Sequence, residues 1–518
     1  MSMRDNIFKQ GYFWLTLLAG GFFLSLTLWF GLGGDHAICT YTAWVWKKYH
    51  LVPYVGVWDH NFPGIFMVHW LALSLFGTST LGFRFFDFLV QLSCLGMIFY
   101  LAKLVSGSGR AGFLAGVFYS IYYYGMGDWN TAQRETYVFW IILICLVLSF
   151  SLASHFWLRA LAVGLLSGFC FLVKPTYGLV WPVFGLLFLI DEFGKRPLMA
   201  WLTLLVFGIC CLIPSLLVVF EYRRLGLLDE LYNATIWFNF EIFNKMFLPG
   251  FFGRLSIFYS YLSDSPLILC AGFFSILSAF LRYEELKEKK AFWILLALIA
   301  VAVASTQFQA KNQPYHRMPF WGITVVFAGW GWHRIGDQLE KSGDGLLASF
   351  GPWLLYGAVV AMLISEINFD ILKYSEKYYL RDFKRGYTSQ LTTLGDDYKA
   401  ADYLQPLLKP GDELGLFGWQ PLIPLLLEKK LPTRYICIEF MLDRPGNREY
   451  QPIQRKWIND YISTTLKASP RFFIVEYPYA PNFKEALAQE FAEVQGDLNR
   501  NYQLLNKIGL IEIYQRKQ

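Results

Sequence analysis

Charge is scarce in this sequence. Asp, Glu, Lys and Arg make up 16% of the 518 residues against 55% hydrophobic residues, and the mean hydropathy is +0.37. A soluble chain of this length needs more charge than that to cover its surface. The net charge of +6 is spread over connecting loops, which argues against nucleic-acid binding, since that needs a clustered basic face. Cysteine is also sparse. Six of the eight, Cys94, Cys145, Cys170, Cys210, Cys211 and Cys270, lie inside apolar runs and read as packing residues. Only Cys39 and Cys437 lie outside, with no spacing that suggests a disulfide. No repeat relates the two halves, against a transporter built on inverted repeats. The first apolar run, 12–32, lacks a small-residue cleavage site and is too long for a signal-peptide core, so it reads as a retained anchor.

What is abundant is apolar length and aromatic rings. Phe, Tyr and Trp reach 19%, as suits long contacts at a lipid–water interface. A membrane-crossing helix needs roughly 20 apolar residues. Runs near 12–32, 80–104, 109–126, 136–153, 156–173, 176–191, 198–220, 263–281, 291–306, 317–333 and 349–366 qualify, predicting about eleven spans. Shorter runs near 62–77 and 235–260 read as interfacial. With Arg4 and Lys9 inside, the other inner connections hold Lys103 and Arg110, Arg159, Lys195 and Arg196, Arg282 with Lys287, Lys289 and Lys290, and Arg334 with Lys341. That pattern obeys the positive-inside rule and puts the chain after about residue 367 outside.

The tail changes character. Segments 413–418, 472–476 and 510–514 read as strands, and 396–408, 450–466 and 483–499 as helices. The fold class expected is therefore mainly α, a polytopic membrane domain over 1–367, followed by a small α/β extracytoplasmic domain over 368–518.

Ionisable residues gather on the expected outer side. The first outer loop, 33–62, holds Gly33-Gly34-Asp35-His36 and Trp58-Asp59-His60-Asn61-Phe62-Pro63-Gly64. Later connections hold Asp128, Gln133-Arg134-Glu135, Lys174-Pro175 and the run Gln309 to Arg317, including Tyr315 and His316. Ionisable groups at span ends are costly unless they pair or face water, so each is a functional candidate. Plainer readings fit each one singly. Asp35 fits a helix cap, Asp59-His60 a turn before Pro63, and Arg134-Glu135 an interfacial ion pair. Lys174 fits a snorkelling side chain, and His316-Arg317 a headgroup anchor. Their shared side favours a site. Cations around a lipid phosphate ester would balance leaving-group charge, and a carboxylate would take the proton of an acceptor hydroxyl or amine.

A first span followed by Gly-Asp, then Trp-Asp-His-x-x-Pro-Gly, resembles the start of the C-type-fold (GT-C) glycosyltransferases that use polyprenyl-phosphate sugars. Bacterial members include aminoarabinose-transferase and protein-mannosyltransferase-like enzymes. The resemblance continues through Phe76-Gly77, Arg84, Gln133-Arg134-Glu135, Lys174-Pro175, Tyr315-His316-Arg317-Met318-Pro319, and, in the tail, Gly411-Asp412 and Phe417-Gly418-Trp419. It implies that Asp35 and Glu135 are catalytic, that Arg134, Lys174, His316 and Arg317 hold the donor phosphate, and that Asp59, His60, Arg84 and Tyr315 line the substrate. The family's usual Asp-Glu is Asp35-His36 here, and its Asp-His-Lys-Pro-Pro-Gly has Asn61-Phe62 in place of Lys-Pro.

The expectation is a bacterial inner-membrane glycosyltransferase. It would move one sugar from a polyprenyl phosphate to a periplasmic lipid, glycan or protein, with inversion. No nucleic-acid partner is expected. No metal or other cofactor is required on this reading; a divalent metal held by Asp35, Glu135 and His60 is the lesser expectation. The alternatives are a lipid-linked polysaccharide polymerase or ligase, and a lipid-linked sugar transporter, for which Asp87 is the main mid-span ionisable residue.

Overall fold

The structure, a computed structural model, describes residues 11–194, 196–246, 250–342, 345–378, 394–419, 421–445, 449–477 and 482–517. Arg4, Lys9 and Lys195, which enter the orientation argument, lie outside the described residues. All eleven apolar runs are helical along most or all of their length. Seven described helices are both long and apolar enough to cross a membrane, with an eighth if Phe251–Ser263 and Pro266–Leu281, bent by 89°, form one span. The count of eleven is not confirmed by length and composition, for local reasons. Gly109–Gly125 has 17 residues, Pro175–Asp191 is likewise short, and Met318–Ser342 is diluted by polar residues in its second half. The chain is a multi-pass membrane protein. Its lipid-facing character is visible in exposed Leu18, Phe22, Leu198, Leu216, Phe220 and Phe273.

The chain divides into two compact units. One, the span unit, holds Met1–Leu28, Asp87–Glu221 and Pro249–Lys377; the other, the loop unit, holds Trp29–Phe86, Tyr222–Leu248 and Tyr378–Gln518. In the span unit, Met318–Ser342 packs against Gly109–Gly125 and Pro266–Leu281. Without a hydrophobic driving force between helices in lipid, close packing needs small residues at the crossing. Gly329 supplies one, since a Cβ there would stand 2.6 Å from the Ala111 carbonyl oxygen.

The loop unit joins the segment Trp29–Phe86 to the tail. Its four-stranded sheet runs β1 (Leu414–Phe417), β2 (Phe472–Glu476), β4 (Ile511–Arg516), β3 (Tyr502–Ile508). Strands β1 and β2 pair in parallel, Leu414 opposite Phe472, and the other pairs are antiparallel. Parallel pairing requires a crossover, and the helix Pro452–Ala468 provides it, with Tyr461 Oη donating to the Leu416 carbonyl at 2.7 Å. The three expected strands form. Strand β3 was not expected, because Tyr502–Ile508 lacks apolar alternation and is largely exposed. The expected helix 483–499 is two, Asn482–Gln489 and Ala492–Asn501.

Candidate functional site

Three distant segments of the span unit converge on one carboxylate. Glu135 lies in the first turn of Arg134–Ser151, Lys174 ends the helix Phe156–Val173 before Pro175, and His316 lies in the short 3₁₀ turn Pro314–Arg317. All three are buried. Lys174 Nζ donates to Glu135 Oε1, and His316 Nδ1 lies 2.6 Å from the same oxygen. Lys174 Nζ stands 3.1 Å from His316 Nδ1. An ionised carboxylate only accepts, so the 2.6 Å contact assigns the proton to His316 Nδ1. Lys174 and His316 are then two donors to one oxygen rather than partners of each other. Burial, with the Lys174 charge next, lowers the His316 pKa to about 3, so the ring is neutral. Arg134, half-buried, adds further positive charge here. The Tyr315 ring lies 4.4 Å from the His316 ring. Two buried polar atoms of the cluster, Glu135 Oε2 and His316 Nε2, have no hydrogen-bond partner among the described residues.

Arg317, one residue on, is engaged differently. Its Nε and Nη2 bind Asp264 at 2.6 and 3.0 Å, and Nη1 binds Asn312 Oδ1 at 2.6 Å. Asp264 sits at the 89° bend and also accepts from Trp321 Nε1 at 3.3 Å. This bidentate pair clamps the elbow of the bent helices. Asp87 is likewise enclosed in hydrogen bonds, accepting from Gln91 Nε2 (2.8 Å) and Tyr123 Oη (2.8 Å to Oδ2). Tyr123 Oη in turn accepts the Ala132 N–H at 2.8 Å. Ala132 has φ +57°, so this chain of bonds holds a strained turn three residues before Glu135. Sequence reading found neither Asp264 nor the role of Asp87, since Asp264 depends on Arg317 and Trp321, and Asp87 on Tyr123, all far along the chain.

Asp35, Asp59, His60 and Arg84 belong to the loop unit. Asp35 is half-buried in the first turn of Gly34–Tyr49, where the helix dipole favours a carboxylate. His36 accepts the Gly33 N–H through Nδ1 at 3.0 Å. That is the back-bond a Glu or Gln at this third helical position makes in a capping box, so the departure from Asp-Glu preserves the turn that presents Asp35. Fully buried Arg84 donates to the Gly31 carbonyl from Nε at 3.2 Å and from Nη2. Arg84 thus fixes the turn leading into Asp35. His69, stacked on Phe83 at 4.7 Å and 2.9 Å from Thr40 Oγ1 through Nδ1, backs the same turn.

The Trp58-Asp59-His60 segment is built into a wall of aromatic rings. Trp58 lies 4.6 Å from Trp457 and 5.1 Å from Phe238, and His60 lies 4.1 Å from Phe243 and 4.6 Å from Phe440. Trp58 bridges in parallel with Tyr435, its N–H donating to the Arg434 carbonyl at 2.8 Å. Asp59 Oδ1 accepts the Asn61 N–H at 2.6 Å, an Asx turn that starts the helix Pro63–Phe76. Glu439 was missed by sequence reading. Ile438 is tied to the end of β1 by its N–H bond to the Gly418 carbonyl at 2.9 Å. Glu439 follows; it keeps solvent contact at its surface. The protein packed around it raises its carboxyl pKa, and the Asp35 charge raises it further. Among the described residues no group of three His, Cys, Asp or Glu side chains is arranged to hold a metal ion.

The chain as a whole is similar to known proteins. Residues 59–218 match the family described as dolichyl-phosphate-mannose-protein mannosyltransferase. No curated protein matches by sequence. Among solved structures, ArnT from Cupriavidus metallidurans bound to undecaprenyl phosphate is similar at TM-score 0.60 and 13% identity, over 97% of both chains. Its apo state gives 0.58 at 13%, over 95% of this chain and 96% of that one. The apo Archaeoglobus fulgidus oligosaccharyltransferase gives 0.50 at 12%, over 90% of this chain and 70% of that one. A likeness extending over nearly the whole of both chains establishes the architecture, and the chain has the C-type (GT-C) glycosyltransferase fold.

Proposed function

We propose that this protein is a membrane glycosyltransferase that moves a single sugar from a polyprenyl phosphate to an acceptor outside the bacterial inner membrane. The observation that carries the reading is the buried Glu135–Lys174–His316 cluster, with two polar atoms open to a ligand. The fold shared with an ArnT whose structure holds undecaprenyl phosphate supports a lipid-phosphate donor. On this reading the N-terminus is cytoplasmic, residues 1–367 carry the transferase and residues 368–518 lie in the periplasm.

Asp35 takes the proton of the acceptor hydroxyl or amine. The freed electron pair attacks the anomeric carbon from the face opposite the phosphate. The carbon–oxygen bond to phosphate breaks, and the polyprenyl phosphate leaves with that bond's electrons. Lys174 and Arg134 balance the charge that develops on it. One displacement inverts the anomeric centre. Arg84 holds Asp35 in place through Gly31, and Arg317 holds the bent helices through Asp264.

The test is lipid mass spectrometry on Asp35→Asn protein purified from its native host in mild detergent. The expected result is a stoichiometric polyprenyl phosphate bearing one sugar. Bulk phospholipid alone, with no binding when such lipids are added back, would overturn the reading.

A further inference from the structure

The open atoms of the span-unit cluster say more than that a ligand binds; they say which part of one. This inference rests on the donor reading above. Glu135 Oε1 is filled by Lys174 and by His316 Nδ1. What remains is Glu135 Oε2, an acceptor, and His316 Nε2, which carries a bare lone pair because the ring's proton is on Nδ1. Both atoms are buried and have no hydrogen-bond partner among the described residues. A buried polar atom left unpaired costs about 1–3 kcal/mol, so two in one cluster mark a place that a ligand completes.

Two acceptors demand donors. An ionised phosphate ester presents acceptor oxygens and negative charge, and would meet a carboxylate oxygen and a lone pair here. Sugar hydroxyls, or a sugar ammonium, present the hydrogens that both atoms lack. The Tyr177 hydroxyl, also buried, can donate or accept. We infer that Glu135 and His316 form the subsite that reads the hydroxyl or amino groups of the transferred sugar, and that they do not hold the lipid's phosphate. Lys174 serves it as a positioning residue by filling Oε1, which turns the carboxylate's other oxygen to the ligand.

The experiment measures binding to purified full-length protein in detergent, with undecaprenyl phosphate alone and with undecaprenyl phosphate carrying mannose or aminoarabinose. Wild type should bind one sugar-bearing probe at least about tenfold more tightly than the bare lipid. Glu135→Gln and His316→Phe should lose that difference, yet bind bare undecaprenyl phosphate within about twofold of wild type. Equal loss of bare and sugar-bearing lipid in the variants would overturn the subsite while leaving the donor reading intact. A wild type that prefers no sugar-bearing probe would also overturn it, and a wild type that binds no probe overturns both.

A second readout does not depend on choosing the right sugar. Histidine-selective ¹⁵N NMR, assigned with His316→Gln, should show His316 neutral with its proton on Nδ1, and unchanged when bare undecaprenyl phosphate is added. Protonation of Nε2 on adding that lipid would place the phosphate at this atom and end the proposal.

Discussion

His316 and His60 are both buried, both follow a motif on the expected outer side, and they do different things. His60 is packed against Phe243, Phe238 and Phe440, and the neighbouring Asp59 bonds its own turn. His316 shares a carboxylate oxygen with a lysine. The same contrast separates Arg317 from Lys174. Arg317 is bonded to Asp264 and Asn312 through all three nitrogens, whereas Lys174 leaves one oxygen of its partner open. Polar residues in this protein are of two kinds. Some spend every donor on neighbours and hold the fold, as Arg317 does; others, as Glu135 does, keep an oxygen with no hydrogen-bond partner among the described residues, and a ligand fits there.

The largest effect expected from breaking this contrast is at Lys174. Lys174→Met leaves Glu135 buried without its counter-charge, which should cost about 3–5 kcal/mol, read as thermal unfolding in detergent. Glu135→Leu with Lys174→Met should recover most of that stability while activity stays lost. If the double variant transfers sugar normally, the cluster belongs with the fold-holding kind. Trp58→Ala should come next, with about 3–5 kcal/mol lost from the aromatic wall and the Asp35 loop loosened with it. Asp35→Asn should instead leave the unfolding temperature nearly unchanged while lowering transfer by roughly 10²–10⁴. Were stability to fall along with rate, Asp35 would count as a cap and not a base.

Two smaller effects sharpen the comparison. Arg317→Lys keeps the charge but cannot reproduce the bidentate pair. A loss of about 1–3 kcal/mol in stability with lipid binding unchanged is expected; selective loss of bare undecaprenyl phosphate binding would move Arg317 to the ligand-holding kind. The smallest effect is pH dependence. The folded His316 pKa, about 3, lies below its ordinary 6.5, so between those values the unfolded state binds more protons. Its contribution to stability is therefore full above pH 6.5 and declines as pH falls toward 3. His316→Gln should flatten that part of the stability profile, and an unchanged slope would show that the ring is already charged.

The tail and the spans differ in how much their sequence reveals. Spans are legible because each is one continuous apolar run whose backbone bonds are internal. Strands at 472–476 and 511–516 are legible because they alternate or are apolar throughout, whereas Tyr502–Ile508 becomes a strand only through pairing with its neighbour. The candidates Glu135, Lys174 and His316 were visible as charges where membrane physics disfavours them. Glu439 was not, since an acidic residue in a polar tail is unremarkable until the fold brings it within range of the Asp35 charge.

The sequence by itself determined a multi-pass membrane protein with an α/β tail, and it named the residues among which a site had to be sought. Those properties follow from composition and periodicity, which are local. Tertiary structure alone decided that Glu135, Lys174 and His316 share one oxygen, that Arg317 serves Asp264, and that His36 restores a back-bond a glutamate would make. Each of those depends on which atom's hydrogen-bonding capacity is already filled, and that is set by partners brought together from distant parts of the chain.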